Sequence, residues 1–84
     1  MISYSFEILT TVQMKGHKIE KTRDYEVKVL VRKDEKTIFN DVVKVRKNVQ
    51  GVYPDTGLIN KKIKSAATKK ELLDKLKTYV KNAR

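Results

Sequence analysis

The first part of the chain alternates apolar and polar residues, as a β-strand with one buried face does. Between residues 2 and 8 the apolar positions are Ile2, Tyr4, Phe6 and Ile8. A second stretch repeats the alternation with Tyr25, Val27, Val29 and Val31. A period of two with β-branched and aromatic residues is typical of half-buried strands. The two stretches therefore predict a long antiparallel β-hairpin.

Residues 15–18 are the expected turn of this hairpin, because they contain Gly16 among polar side chains. If Met14 faces Ile19 across the turn, three pairs of apolar residues meet on one face of the sheet. These are Ile8 with Tyr25, Phe6 with Val27, and Tyr4 with Val29. The outer half of the hairpin, residues 10–23, is more polar. It is expected either to extend as an arm or to form a loop.

A second turn is predicted at residues 33–36, followed by a third strand over residues 37–47. The inward side chains of this strand are expected to be Phe39, Val43 and Val45. Asp41 does not suit that face, so a β-bulge is predicted near residues 40–41. A three-residue turn would place Glu26 opposite Lys44 and Asp24 opposite Arg46, as cross-strand ion pairs.

The remaining chain contains an irregular segment and then a helix. Residues 53–57, with Pro54 and Gly57, give a strong turn signal, and residues 58–64 could add a short edge strand. Thr68 and Glu71 have the spacing of a capping box, which predicts a helix beginning at Thr68. Its apolar stripe consists of Leu72, Leu73, Leu76, Val80 and Ala83, with Tyr79 beside it.

These elements predict a single α+β domain over residues 1–84. The expected fold is an antiparallel β-meander packed by one C-terminal α-helix in two layers. The meander has three strands, or four if residues 58–64 add one. A chain of this length is too short for a second domain.

Net charge suggests the class of partner. The 84 residues include 20 Lys and Arg against 10 Asp and Glu, which gives a formal net charge of +10. Sixteen of the cations are lysines, which suit contacts to phosphate, whereas arginine suits bidentate recognition of bases. The composition favours binding to a polyanion through its backbone. The alternative interpretation is a lysine-rich surface that serves solubility.

The surplus of positive charge lies towards the end of the chain, where residues 48–84 have a net charge of +6. The predicted phosphate contacts are Lys61, Lys62 and Lys64 in this region and Lys15, Lys18 and Lys21 at the tip of the hairpin. Lys28 and Arg32 on the outer sheet face are secondary candidates, and Tyr53 is the candidate for stacking on a base. On the helix, Lys70, Lys77, Lys81 and Arg84 fall on one side, which is also what a solvated helix surface looks like.

The chain offers little material for catalysis. It has no cysteine, and its one histidine, His17, lies in a predicted turn without a nucleophile or acid at triad spacing. The three glycines are isolated and form no phosphate-binding or dinucleotide-binding loop. We therefore expect no enzyme activity, no cofactor and no metal site. The N-terminal residues lack the pattern of a signal peptide, and no apolar run is long enough for a bilayer, so a cytoplasmic protein without a membrane partner is expected.

Three antiparallel strands followed by a C-terminal helix, together with a basic composition, are similar to the small arm-type DNA-binding domains of some phage and transposon integrases. The resemblance covers element order and charge. It implies DNA contact through a three-stranded sheet that enters the major groove. We expect a non-catalytic, nucleic-acid-binding accessory protein, on either DNA or RNA. The alternative is a protein–protein interaction module, such as a homodimer, with outward Leu30 and Val42 as candidate anchors.

Overall fold

In the described part of the chain, four antiparallel strands form one open sheet whose spatial order follows the chain. The computed structural model describes residues 2–13 and 22–83. The strands and helices are β1 (Ile2–Gln13), β2 (Arg23–Lys33), β3 (Lys36–Asn48), β4 (Gly51–Pro54), α1 (Gly57–Lys62) and α2 (Ala66–Lys81). The helices cover one face of the sheet, so the α+β class, the meander and the C-terminal helix packed against it are confirmed. The predicted turn at residues 15–18 lies outside the described residues.

The core lies between the sheet and the helices. β2 supplies its centre, because Tyr25, Val27, Val29 and Val31 are all buried while the residues between them face away. The predicted inward residues of β3, Phe39, Val43 and Val45, are buried as well. The helices and Ile63, which directly follows α1, complete the core with Ile59, Ile63, Leu72, Leu76 and Val80. On β1 the alternating apolar side chains remain only partly buried.

The predicted register of β1 against β2 is wrong by two residues. Tyr4 pairs with Val31, Phe6 with Val29 and Ile8 with Val27. A bulge at Leu9 then shifts the register by one residue, so that Thr10 pairs with Glu26. Side chains on a strand alternate with a period of two, so an error of two residues leaves Tyr4, Phe6 and Ile8 on their predicted face.

The hairpin of β2 and β3 has the predicted residue pairs, but its turn differs from the predicted three-residue turn. Asp24 faces Arg46 and Glu26 faces Lys44, as expected. Two residues make the turn between Lys33 and Lys36, and Asp34 has a φ of 55°, a left-handed conformation that aspartate tolerates. The residue that a three-residue turn would have contained is instead a bulge at Ile38, where the register shifts. The prediction of a bulge near residues 40–41 is therefore wrong.

Asp41 stays on the core-facing side of β3, opposite the buried Val29. Its carboxylate is reached by the ammonium of Lys62 in α1 at 2.7 Å, and it also accepts a hydrogen bond from the backbone N–H of Val42. The bulge was predicted because a carboxylate does not suit the inward face. With Lys62 as its partner, the Asp41 carboxylate can remain on that face at the edge of the core.

The fourth strand is β4, whereas most of the segment predicted as an edge strand, residues 58–64, belongs to α1. Pro54 ends β4 at the edge of the sheet, where a residue without an N–H is tolerated. The Asp55 carboxylate then accepts a hydrogen bond from the Gly57 N–H at 3.0 Å, a local turn that starts α1. Ile59 and Ile63, four residues apart, are both buried, and this spacing favours a helix over a strand.

Helix α2 begins earlier than predicted. Its N-cap is Ser65, whose hydroxyl oxygen accepts a hydrogen bond from the Thr68 N–H at 3.3 Å. Thr68 is therefore the third residue of the helix and not its cap. The predicted stripe packs on the sheet, with Tyr79 against Phe6 at 5.3 Å between ring centres. Within the described part of the chain, neither helix has the length and apolar character needed to cross a membrane.

Candidate nucleic-acid interface

The two layers of the fold differ in charge. Residues 55–83, which form the helical layer, contain eight lysines and three acidic residues. The sheet and its connections, residues 2–13 and 22–54, contain eight cations and six acidic residues. The surplus of positive charge among the described residues therefore lies mainly on the helical side of the molecule.

The end of α1 carries three of the predicted contacts. Lys61 and Lys62 lie in its last turn, and Lys64 follows it; all three are exposed. Lys62 donates a hydrogen bond to the Asp41 carboxylate. This bond is the main reason why the pKa of the Asp41 carboxyl is below its ordinary value of 3.8, and the hydrogen bond from the Val42 N–H is the second. Lys61 and Lys64 have no carboxylate at salt-bridge distance among the described residues. These two can therefore meet a phosphate without losing an internal ion pair.

The two flanks of α2 face different parts of the sheet and carry different charges. Lys77 and Lys81 face the β3–β4 turn, where they line a depression of about 570 Å³. Lys70 lies two turns before Lys77, on the same flank of the helix. The opposite flank, towards β1, carries Glu71, Asp74 and Lys75. Helical spacing placed Lys70, Lys77 and Lys81 on one side, but only the packing of α2 shows that this side is the basic one nearest β4.

The outer face of the sheet is nearly neutral because acids and bases face each other across the strands. Lys28 lies between Glu7 on β1 and Val42 on β3, and Arg32 donates a long hydrogen bond of 3.5 Å to the backbone carbonyl of Glu35. Arg46 binds both carboxylate oxygens of Asp24, at 2.8 and 3.1 Å. This contact raises the pKa of the Arg46 guanidinium. Arginine donors used in this way are not available to a ligand unless the pair opens.

Tyr53 also lies on the outer face, opposite Arg46, and half of its surface is exposed. Its hydroxyl group lies beside Gly51, since a Cβ atom added to that glycine would be 3.3 Å from the hydroxyl oxygen. The ring therefore packs along its own strand. Of the apolar residues proposed as anchors on the same face, Val42 is exposed and Leu30 is half-buried.

The predicted contacts thus separate into two groups. Lys61, Lys62 and Lys64 belong to the helical layer, while Lys28, Arg32 and Tyr53 lie on the outer face of the sheet. Lys15, Lys18 and Lys21 lie outside the described residues. Lys70 and Lys77 of α2 also lie in the helical layer and are exposed. Within the described part of the chain, the predicted contacts therefore lie on two different surfaces.

Other kinds of site have little support within residues 2–13 and 22–83, where no group of three or more His, Cys, Asp or Glu side chains is placed to hold a metal ion. A groove of about 660 Å³ runs between β1 and α2, lined by Ile2, Tyr4, Phe6, Glu71, Asp74, Lys75, Thr78 and Tyr79. The pKa of Tyr4 in this groove is raised, mainly by burial and secondly by the Glu71 carboxylate. The ammonium of Lys75 lies 5.6 Å from the centre of the Tyr4 ring, at cation–π distance.

Comparison with known proteins identifies no relative. No protein-family profile, no curated protein and no solved structure matches the chain significantly. The similarity to integrase arm-type domains therefore gains no support from the comparisons. The functional conclusion depends on the charges and contacts of the chain itself.

Proposed function

We propose that this protein is a non-catalytic nucleic-acid-binding accessory protein that holds the phosphate backbone through its helical layer. The observation that supports this function is the excess of eight lysines over three acidic residues in residues 55–83. Of these lysines, Lys62 is the one with a carboxylate at salt-bridge distance in the described part of the chain. Ammonium groups that are not neutralised by a neighbouring carboxylate attract polyanions and release the counterions condensed on them.

The type of cation favours backbone contact over base recognition. Every cation of the helical layer within residues 55–83 is a lysine. A lysine ammonium is a flexible point charge, well suited to phosphate oxygens, whereas bidentate reading of guanine requires the planar guanidinium of arginine. We therefore expect binding with weak sequence preference, on DNA or RNA.

The helical layer is a better candidate than the outer face of the sheet. On that face Arg46 is engaged with Asp24, and Lys28 faces Glu7. A phosphate would have to compete with these carboxylates, and acidic groups near a contact repel the backbone. Contact through the sheet, as in the integrase domains, is therefore less favoured for this chain. Absence of enzyme activity and a cytoplasmic location remain predictions from the sequence.

A salt titration tests the proposed function directly. Fluorescence anisotropy would measure binding to mixed-sequence duplex DNA, duplex RNA and single-stranded RNA over a range of salt concentrations. If several lysines contact phosphates, the logarithm of the binding constant falls linearly with the logarithm of the salt concentration. The slope should be about −0.9 for each phosphate neutralised on duplex DNA. Absence of binding at low salt to all three polymers would exclude the function.

A further inference from the structure

The two edges of the sheet differ in the protection they have against pairing with another strand. β4 has four residues and ends in Pro54, two features that limit pairing. β1 has twelve residues without proline, and no described strand lies on its outer side. A long edge strand presents a row of backbone donors and acceptors that can bind another strand. β1 is therefore the edge at which this sheet can grow.

Charge also distinguishes β1 from the rest of the molecule. Glu7 is the single charged side chain in residues 2–13, although the whole chain carries 20 Lys and Arg. Lysines on an edge strand are a common device against edge-to-edge association, and β1 has none. The flank of α2 beside β1 carries Glu71, Asp74 and Lys75 and is not basic. A second copy of this chain can therefore approach β1 with little of the repulsion expected elsewhere between two molecules of net charge +10.

The inner side of β1 is incompletely covered in the single chain. Ile2, Tyr4, Phe6 and Ile8 are only partly buried, unlike their neighbours on β2. The first three of these side chains line the groove of about 660 Å³ between β1 and α2, which leaves them accessible from the open edge. A strand paired with β1 would place its own inward side chains beside this groove and remove apolar surface from water.

We propose that two copies of this protein associate through their β1 strands, antiparallel, to form a continuous eight-stranded sheet. The bulge at Leu9 ends the regular part of β1, which leaves Ile2–Ile8 as the segment available for an uninterrupted ladder. The central residue of that segment is Ser5. A two-fold axis at Ser5 therefore uses the whole regular segment of both copies, as an isologous interface requires.

The side chains are self-complementary in this register. Ile2 faces Ile8 of the second copy and Tyr4 faces Phe6, so apolar residues meet on the helical side of the sheet. On the outer side Ser5 faces its own copy and Ser3 faces Glu7. An axis at Glu7 would instead set two carboxylates directly opposite each other, which is unfavourable. This association is inferred from the edge alone and does not depend on nucleic-acid binding.

Cysteine cross-linking can distinguish this register of the two β1 strands from others. The chain has no cysteine of its own, so any disulfide must form between the introduced thiols. In S5C the two thiols would lie directly opposite each other, where the Cα atoms of an antiparallel pair are about 4.5–5.5 Å apart, a separation that a disulfide accepts. In the matched control S3C they would lie four residues out of register, about 14 Å apart. We expect S5C to form a disulfide-linked dimer under mild oxidation much faster than S3C. Equal or faster cross-linking of S3C would overturn the proposed register.

Sedimentation equilibrium provides a second test without cross-linking. The unmodified protein is expected to show a reversible monomer–dimer equilibrium. S5K places two ammonium groups at the axis and should weaken the dimer at least about tenfold, or about 1.4 kcal/mol. T10K adds the same charge beyond the bulge, opposite Glu26, and should leave the equilibrium unchanged. A monomer at every concentration, or equal effects of S5K and T10K in folded proteins, would refute association through β1.

Discussion

The ammonium of Lys47 donates a hydrogen bond to the backbone carbonyl oxygen of Lys81 at 2.9 Å, which joins the end of β3 to the end of α2. The same nitrogen lies 3.3 Å from the carbonyl oxygen of Val80 and 3.1 Å from that of Ala83. The last carbonyl groups of a helix have no partner within it and carry the negative end of the helix dipole. Lys47 is therefore a structural lysine, unlike the exposed lysines of the helical layer.

Replacing Lys47 with methionine should destabilise the fold, because the variant keeps most of the side-chain length and loses the charge and the donors. We expect K47M to lower the free energy of unfolding by about 1 kcal/mol. The matched control is K44M, an exposed position in the same strand, for which a change within about 0.5 kcal/mol is expected. Urea denaturation followed by circular dichroism measures both. Equal effects would show that the contact with α2 contributes nothing.

The cap of α2 provides a second stability prediction. Since the Ser65 hydroxyl accepts from the Thr68 N–H, S65A should cost about 1 kcal/mol. T68A keeps the backbone N–H that makes this bond and should cost clearly less. Thermal denaturation of the two variants separates the capping position found in the structure from the one that the sequence suggested. A larger loss for T68A would favour a helix that begins at Thr68.

The ion pair of Asp41 and Lys62 predicts a dependence on acid. Because the pKa of Asp41 is lower in the folded protein than in the unfolded chain, its charge contributes stability at neutral pH. That contribution declines as the pH falls below the unfolded value and is gone below the folded pKa. The wild type should therefore be more stable than D41N at neutral pH, and the difference should disappear in strong acid.

Lys62 supplies the control for this measurement. In a K62M background the substitution D41N should have a much smaller effect at neutral pH, because the ammonium at 2.7 Å is gone. Denaturation of the four proteins at both pH values completes a double-mutant cycle. A difference between wild type and D41N that persists unchanged in strong acid would contradict an electrostatic origin.

Much of the fold follows from patterns in the sequence. Alternation along β2 and β3 identifies their buried faces, and the opposite charges of Asp24 and Arg46 indicate the correct register of that hairpin. Patterns failed where the backbone departs from regular geometry. No residue type in β1 marks the bulge at Leu9, and the length of the connection to β2 is not encoded by hydrophobic spacing. The helix α1 could have been found, because Ile59 and Ile63 have helical spacing and Asp55 precedes Gly57.

The candidate site was less predictable than the fold. Sequence counts identify an excess of lysine but not the contacts each one makes. Lys47 and Lys62 look like any other surface lysine in the sequence, yet one binds the end of α2 and the other binds Asp41. Both contacts join residues more than twenty positions apart. Only the packing of the helices on the sheet determines them.

The helical layer and the outer face of the sheet can be distinguished as nucleic-acid-binding surfaces by paired substitutions. Lys70 and Lys77 are exposed on one flank of α2, whereas Lys28 and Arg32 are exposed on the outer face of the sheet. If the helical layer holds the phosphates, the double variant K70Q/K77Q should bind duplex DNA more weakly and lower the magnitude of the log–log salt slope by about 1.8. The double variant K28Q/R32Q removes the same charge from the other face and should leave the slope nearly unchanged.

Anisotropy titrations with both variants compare equal changes of net charge, so a general effect of charge would lower both slopes alike. A larger loss for K28Q/R32Q would place the contact on the sheet, because the slope counts the phosphates that each face neutralises.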